Sequence, residues 1–269
     1  QASIDLGVLK NPFLIRFFRK IESGAYNSAD LITVHSERNK GFVERFCDDK
    51  EKIIVFENWI DENEVRPGNK INEFTIQCDL VDKFVVSFAG TLGVFQDIQI
   101  ILNAAKELEN IDDILFLIVG DGPRKKESQE TAKRMGLKNV VFLPMQPKDT
   151  YPDVLNTSDA TLVTLRKDVE TPVVPSKILS SMSAAKPVVA AMNLDGDGPE
   201  LIQKAKCGLC VEAGDYEGLA RNIRLLYENP ALRAEMGANG RKYIEENLSA
   251  KSAAEKYESL FLELVKRRR

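Results

Sequence analysis

An α/β fold built on a doubly wound parallel sheet follows from three features of the sequence. From Lys83 onward, apolar runs of strand length alternate with amphipathic stretches of helical length, an order that demands parallel strands joined by helical crossovers. The runs Phe84–Ala89 and Ile114–Gly120 are apolar almost throughout and do not alternate, as expected of strands buried on both faces. Glycine-rich turns, Gly90-Thr91-Leu92-Gly93 and Gly120-Asp121-Gly122-Pro123, stand where those strands end. Ligands of open α/β sheets bind beyond the carboxyl ends of the strands.

The bulk properties narrow the classes. The 269 residues, 43% of them hydrophobic, suffice for one large domain or two small ones. Thirty-seven Lys and Arg against 41 Asp and Glu give a net charge of −4, which is not the footprint of a nucleic-acid binder. Cys207 and Cys210 have metal-like spacing, but they read as part of a strand. Neither a second such pair nor enough histidines exist to complete a zinc set, His35 being the single one. With Cys47 and Cys78 they are expected as buried thiols in a reducing cytosol. No apolar run approaches transmembrane length and no signal peptide opens the chain. The start at Gln1, without Met and in mid-pattern, is expected of a fragment or a processed product.

In chain order, Asn11–Ser28 has apolar residues at helical spacing with Arg16, Arg19 and Lys20 beside them. Phe13, Phe17, Phe18 and these cations suit an anionic membrane surface, and equally a helix packed on a sheet with its cations solvated. Asp30–Ser36 reads as a strand holding His35, Glu37–Cys47 as a helix and Lys52–Phe56 as a second strand. Two strands are too few for an independent parallel sheet. Val65–Asp82 is polar and reads as a linker. The boundaries expected are therefore 1–75, a second unit at 76–250 and a C-terminal helix at 251–269.

In the second unit, Phe84–Ala89, Ile114–Gly120, Val140–Leu143, Thr161–Leu165, Val188–Met192 and Leu209–Glu212 read as strands. Helices at Asp97–Glu109, Pro123–Gly136, Tyr151–Thr157, Asp215–Tyr227, Ala231–Asn247 and Ala250–Lys266 separate or follow them. The stretch Thr171–Ala191 organises the rest. Pro172 and Pro175 bracket a loop, Ser176 reads as the N-cap of a helix over Lys177–Ala185, and Pro187 stops it. Free first-turn N–H groups, a hydroxyl and a lysine make a ready anion site. Ser-Lys at a helix start also occurs on many helices with no ligand.

PSKILSSMSAAKPVVA closely resembles the donor-site segment of the GT-B glycosyltransferases of the glycogen-synthase-like family, often called family 4. Gly90-Thr91-Leu92-Gly93 resembles that family's loop facing the donor diphosphate, and Gly120-Asp121-Gly122-Pro123 its strand-end turn. Val141–Pro144 resembles the segment that holds the nucleotide base through backbone groups. Residues 30–61 resemble the last third of the acceptor domain. The pattern departs at the family's two acidic positions, which fall on Pro172 and Ser180, and Val94-Phe95-Gln96 stand where Arg and Lys are usual. A branch resembling bacterial polysaccharide and amino-sugar transferases shares the non-acidic residue.

The resemblance implies a retaining, metal-independent glycosyltransferase with no cofactor, using a nucleotide-diphosphate sugar, UDP-sugar favoured. The acceptor is a glycan or a polyprenyl-linked saccharide in cell-surface polysaccharide synthesis, and the setting is cytoplasmic with peripheral membrane contact. Lys177 is the residue it assigns to catalysis; Glu170, just before PVVPSK, is a second catalytic candidate, read either as reaching the sugar hydroxyls in place of the missing acid or as a solvated loop residue. Gly90, Thr91, Leu92, Gly93, Gly120 and Asp121 line the donor, with Asp121 also expected to cap the following helix. Phe142, Leu143, Pro175, Ser176, Ile178 and Ser180 complete it. The rivals are a nucleotide-sugar-binding domain without chemistry and a sugar-nucleotide epimerase. Without a whole acceptor domain, binding with little transfer is expected.

Overall fold

The computed structural model describes residues 10–169 and 174–267. Among them, a six-stranded sheet forms the larger unit. Its strands are β3 (Phe84–Ala89), β4 (Ile114–Val119), β5 (Val140–Leu143), β6 (Ala160–Thr164), β7 (Val188–Ala191) and β8 (Gly208–Val211). They are parallel throughout, in the order β5-β4-β3-β6-β7-β8. The order reverses after β3, so β3 and β6 flank the switch point where such sheets bind ligands. Every residue of β3, β6 and β7 is buried, including the polar Ser87, Thr161 and Thr164.

Helices cover both faces. On one face α4 (Ile98–Glu107) and α9 (Tyr216–Glu228) pack over Val86, Phe88, Phe116 and Leu162. On the other, α7 (Ser176–Ser183) and α8 (Asp197–Ala205) pack over Val163, Val188 and Ala190. The helix α6 (Tyr151–Thr157) meets Val85 and Leu117 through Val154. The polar α5 (Lys125–Arg134) lies outside, burying only Ser128 and Ala132. After α9 come α10 (Pro230–Tyr243), a π turn at Ile244–Leu248 and α11 (Ala250–Arg267).

The preceding unit is slight. Here α1 (Pro12–Ser28) buries no residue. Beside it, β1 (Ile32–Val34) and β2 (Ile53–Val55) pair in parallel, with α2 (Glu37–Val43) between them in sequence. Val34, Val43, Cys47 and Ile53 are the buried core of this unit. His35 therefore follows β1 and does not lie within a strand, and α2 stops at Val43, short of the expected Cys47.

The linker is short and tied down. Only α3 (Glu73–Gln77) forms in it. Lys70 ion-pairs with Asp159 at 2.6 Å, Gly68 N–H donates to Asn156 Oδ1 at 2.9 Å, and Asn72 donates to the Asp153 carbonyl at 3.1 Å. These contacts fix residues 68–72 to the amino ends of the strands. Where the chain crosses back, Ile60 N–H donates to the Leu248 carbonyl at 3.1 Å, and Ile60 bridges Ser249.

Candidate functional site

Three predicted segments interlock at the carboxyl ends of β3, β4 and β5. Gly90 follows β3 with φ +131° and Gly120 follows β4 with φ +155°, a region favouring glycine. A Cβ on Gly120 would lie 1.8 Å from the Gly90 carbonyl oxygen. Glycine is therefore required there for close approach of two backbones. Leu92 N–H donates to the Asp121 carbonyl at 2.8 Å, and Gly120 N–H to the Leu143 carbonyl at 3.2 Å. The Lys125 ammonium donates to the carbonyls of Gly120 and Leu143 at 2.7 and 3.3 Å. Gly93 N–H closes its own turn on Gln96 Oε1 at 3.1 Å, leaving Thr91 exposed at the tip.

Onto this floor α7 delivers Lys177. Its Cε and Nζ lie 2.8 and 2.9 Å from where a Gly90 Cβ would stand, so the absent side chain of Gly90 is what admits it. The ammonium sits 4.7 Å from the centroid of the Phe88 ring, a cation–π contact. Burial holds its pKa below the ordinary lysine value, with no charged partner among the described residues offsetting it. A mostly buried ammonium without a counterion is costly unless an anion joins it.

The helix start differs from expectation. Pro175, in extended conformation, is the N-cap residue, Ser176 is already helical, and no side chain caps the turn. Ile178 N–H bonds back to the Pro175 carbonyl at 3.0 Å. Pro175 has fixed φ and no N–H, so it starts the helix one residue earlier than a serine cap would. Ser180, at the second acidic position, donates back to the Ser176 carbonyl at 3.3 Å and neighbours the buried Tyr151 phenol.

Other predicted residues contribute differently. Ile178 is fully buried with Leu179 and Met182, so its side chain packs the core. The side chains of Phe142 and Leu143 pack on opposite faces of the sheet, and the Leu143 carbonyl meets Gly120 and Lys125. Asp121 does not cap α5, which begins after Arg124 with no side-chain cap. The intervening Gly122-Pro123 turn sets it back, and its carboxylate accepts from Gly122 N–H at 2.8 Å. Glu170 lies outside the described residues, as do Thr171 and Pro172.

The positive charge missing at residues 94–96 is present in space. Arg166 N–H donates to the Phe95 carbonyl at 3.0 Å, bringing the end of β6 against the glycine loop. A cavity of about 390 Å³ there is lined by Gln96, Asp97, Arg124, Arg166, Lys167 and Asp168. Arg166 grips Asp168 through two bonds of 2.9 and 2.7 Å, holding the carboxyl below its usual range. The signal available in the sequence was Arg166-Lys167 just past a predicted strand.

A more enclosed cavity of about 330 Å³ lies on the other side of α7, between β1 and α8, and does not include Lys177. Asp197 is buried in the first turn of α8. It accepts from Ser36 Oγ at 2.7 Å and from Arg38 at 3.0 Å, and Arg38 also reaches Glu200 at 2.7 Å. Among the described residues no group of three or more His, Cys, Asp or Glu is placed to hold a metal ion. No described helix is long and apolar enough to cross a membrane.

Comparison with known proteins agrees with this geometry. The family model for glycosyl transferases group 1 matches residues 74–243, more than half of the chain. The chain is 27% identical over 210 residues to WcaI of Escherichia coli K12, named for colanic acid biosynthesis, covering 75% of this chain and 50% of that protein. It is 26% identical over 213 residues to the lipopolysaccharide core biosynthesis glycosyltransferase LpsD of Rhizobium meliloti, covering 79% and 58%. Its fold matches Anabaena HepE, solved in complex with UDP-glucose, with TM-score 0.76 at 22% identity, covering 90% of this chain and 67% of that one. The chain thus spans about half to three-fifths of these two relatives' own length, and its fold is that of the GT-B glycosyltransferases. The chain belongs to the glycosyl transferase group 1 family.

Proposed function

We propose that this chain carries the donor site of a retaining glycosyltransferase that moves a sugar from a UDP-sugar to a glycan or polyprenyl-linked acceptor in cell-surface polysaccharide synthesis. One observation carries the reading. The Lys177 ammonium, mostly buried and without a charged partner among the described residues, rests on Gly90 at the carboxyl end of β3, at the start of α7, where no side chain caps the turn. That arrangement favours an anion of high charge density, and a nucleotide diphosphate is the anion these relatives suggest. HepE was solved with UDP-glucose, which favours the uridine nucleotide.

In this reading the leaving diphosphate gathers charge as the anomeric carbon becomes oxocarbenium-like. Fixed donors lower the barrier because they need no reorganisation. Lys177, the Ser176 and Lys177 N–H groups and the backbone at Gly90–Thr91 supply them, without a metal ion. The departing phosphate takes the acceptor proton. Glu170 and Ser180 serve the sugar hydroxyls, and Arg166 and Lys167 add positive potential at the rim.

Contact with the inner face of the plasma membrane is part of the same proposal. It is supported by exposed Phe13, Phe17 and Phe18 beside Arg16, Arg19 and Lys20 on α1. The test is incubation of the full-length protein with UDP-, GDP- and ADP-sugars in EDTA, with NMR of the product's anomeric proton. With a glycan or polyprenyl-linked acceptor present, release of UDP and transfer of its sugar to the acceptor with retained anomeric configuration are expected. An inverted product, or turnover only on adding a divalent cation, contradicts the mechanism.

A further inference from the structure

The amino end of α7 carries Lys177, and its carboxyl end is held by one side chain from α10. A Cβ on Gly237 would stand 2.2 Å from the Ala185 carbonyl oxygen, and one on Gly240 3.3 Å from Met182 Cα. These two bare positions let α10 lie directly against the end of α7. Arg241, the next residue, then reaches over that end. Its guanidinium donates to the Ser183 carbonyl at 3.0 Å and to the carbonyls of Glu62 and Val65 at 3.0 and 3.2 Å. Ser183 Oγ donates to the same Val65 carbonyl at 2.5 Å. Glu245 holds the other edge of the guanidinium at 2.6 Å.

Two chain segments cross between the two units of the molecule, residues 57–65 outward and residues 244–249 back. They join at Ile60–Ser249, with Ala250 N–H donating to Glu62 Oε2 at 3.1 Å. Arg241 lies at that junction, one turn before the π turn begins. One nitrogen of the guanidinium, Nη1, faces all three carbonyls, which come from two segments, while Nε is held by Glu245. The orphan carbonyls of a helix end need such partners, and cations there also meet the helix dipole favourably.

We infer that Arg241 is a positioning residue. It couples the outgoing crossover to α7 and so sets where Lys177 stands relative to Gly90. This rests on the donor-site reading, but its physical core, the coupling of the two segments, stands apart from any ligand. A shift of the crossover as the two units move is carried to α7 through the carbonyls of Glu62, Val65 and Ser183.

The test compares Arg241→Gln, Arg241→Lys and Glu245→Gln in the full chain, with two readouts. Hydrogen exchange by mass spectrometry follows residues 57–65 and 178–186 against β3 and β4, and calorimetry follows UDP affinity. Arg241→Gln is expected to raise exchange at least tenfold in both segments together while β3 and β4 stay protected, and to weaken UDP several-fold. Arg241→Lys recovers most of both, since an ammonium still donates to the carbonyls. Glu245→Gln, which leaves the carbonyl contacts in place, changes UDP affinity less than twofold.

Exchange that rises in one segment only, or equally throughout the chain, overturns the coupling. So does a UDP affinity that merely follows the melting temperature across the three variants. Should the unaltered chain bind no nucleotide, the donor-site reading fails. The exchange comparison alone then decides whether Arg241 couples the two segments.

Discussion

Lys177 and Lys186 stand nine positions apart at opposite ends of α7, and both are mostly buried. Lys186, at the amino ends of the strands, donates to the Asn156 carbonyl at 2.8 Å, with Asp159 near enough to support its charge. Its surroundings are the hydrogen bonds that fasten the linker. Lys177, at the carboxyl ends, has an aromatic face and a glycine backbone for company and no charged partner among the described residues. The same residue type in the same stretch thus finishes the structure at one end and leaves a charge unmet at the other. Unmet buried charge beside uncapped helix amides marks a place where a ligand completes the structure.

The comparison breaks most visibly through the glycines. Gly120→Ala forces a Cβ into the Gly90 carbonyl at positive φ. We expect a loss of about 3 kcal/mol or more, read by denaturant unfolding. Gly90→Ala presses instead on the flexible end of Lys177. It should cost less stability than Gly120→Ala and still displace the ammonium, weakening nucleotide binding. Equal stability losses at the two positions would show that Gly90 is only a turn residue.

Next in size is the exchange of each lysine for methionine. Lys177→Met removes an unpaired buried charge, so stability should hold or rise while nucleotide affinity falls. Lys186→Met leaves nucleotide affinity unchanged. A Lys177→Met variant as destabilised as a core truncation would make Lys177 structural.

The comparison also has a pH dependence. Burial pushes Lys186 down to about 8 in the folded state, against 10.5 for a solvated lysine. Between those values the unfolded chain binds the extra proton, so this group makes stability rise with pH, by no more than about 3 kcal/mol. The rise should appear as the difference between the unaltered chain and Lys186→Met in unfolding at pH 7 and pH 10. For Lys177, also depressed by burial, nucleotide affinity should weaken as pH climbs through its lowered pKa, and Lys177→Met should flatten that dependence.

Much of this was legible in the sequence, for identifiable reasons. Unbroken apolar runs located β3, β4 and β7 because both faces of those strands are covered. Gly90 and Gly120 were legible as strand-end turns, and the close approach of their backbones is what leaves no room for a side chain on Gly120. Helix boundaries were less legible. Pro175 displaced Ser176 as cap, and Gly122-Pro123 separated Asp121 from α5. Arg166 and Lys167 escaped because their nearness to Phe95 arises from the order β3-β6 in the sheet, which no local pattern encodes. Arg241 escaped for the same reason, its carbonyl partners lying at least 58 positions away in the chain.

The most direct test of the central claim is calorimetric titration of the chain with UDP, GDP and ADP, alongside Lys177→Ala. Saturable binding of one diphosphate, at least tenfold weaker in Lys177→Ala (about 1.4 kcal/mol) at unchanged melting temperature, is the predicted result. Binding that survives Lys177→Ala undiminished would contradict the assignment of Lys177 to the donor diphosphate.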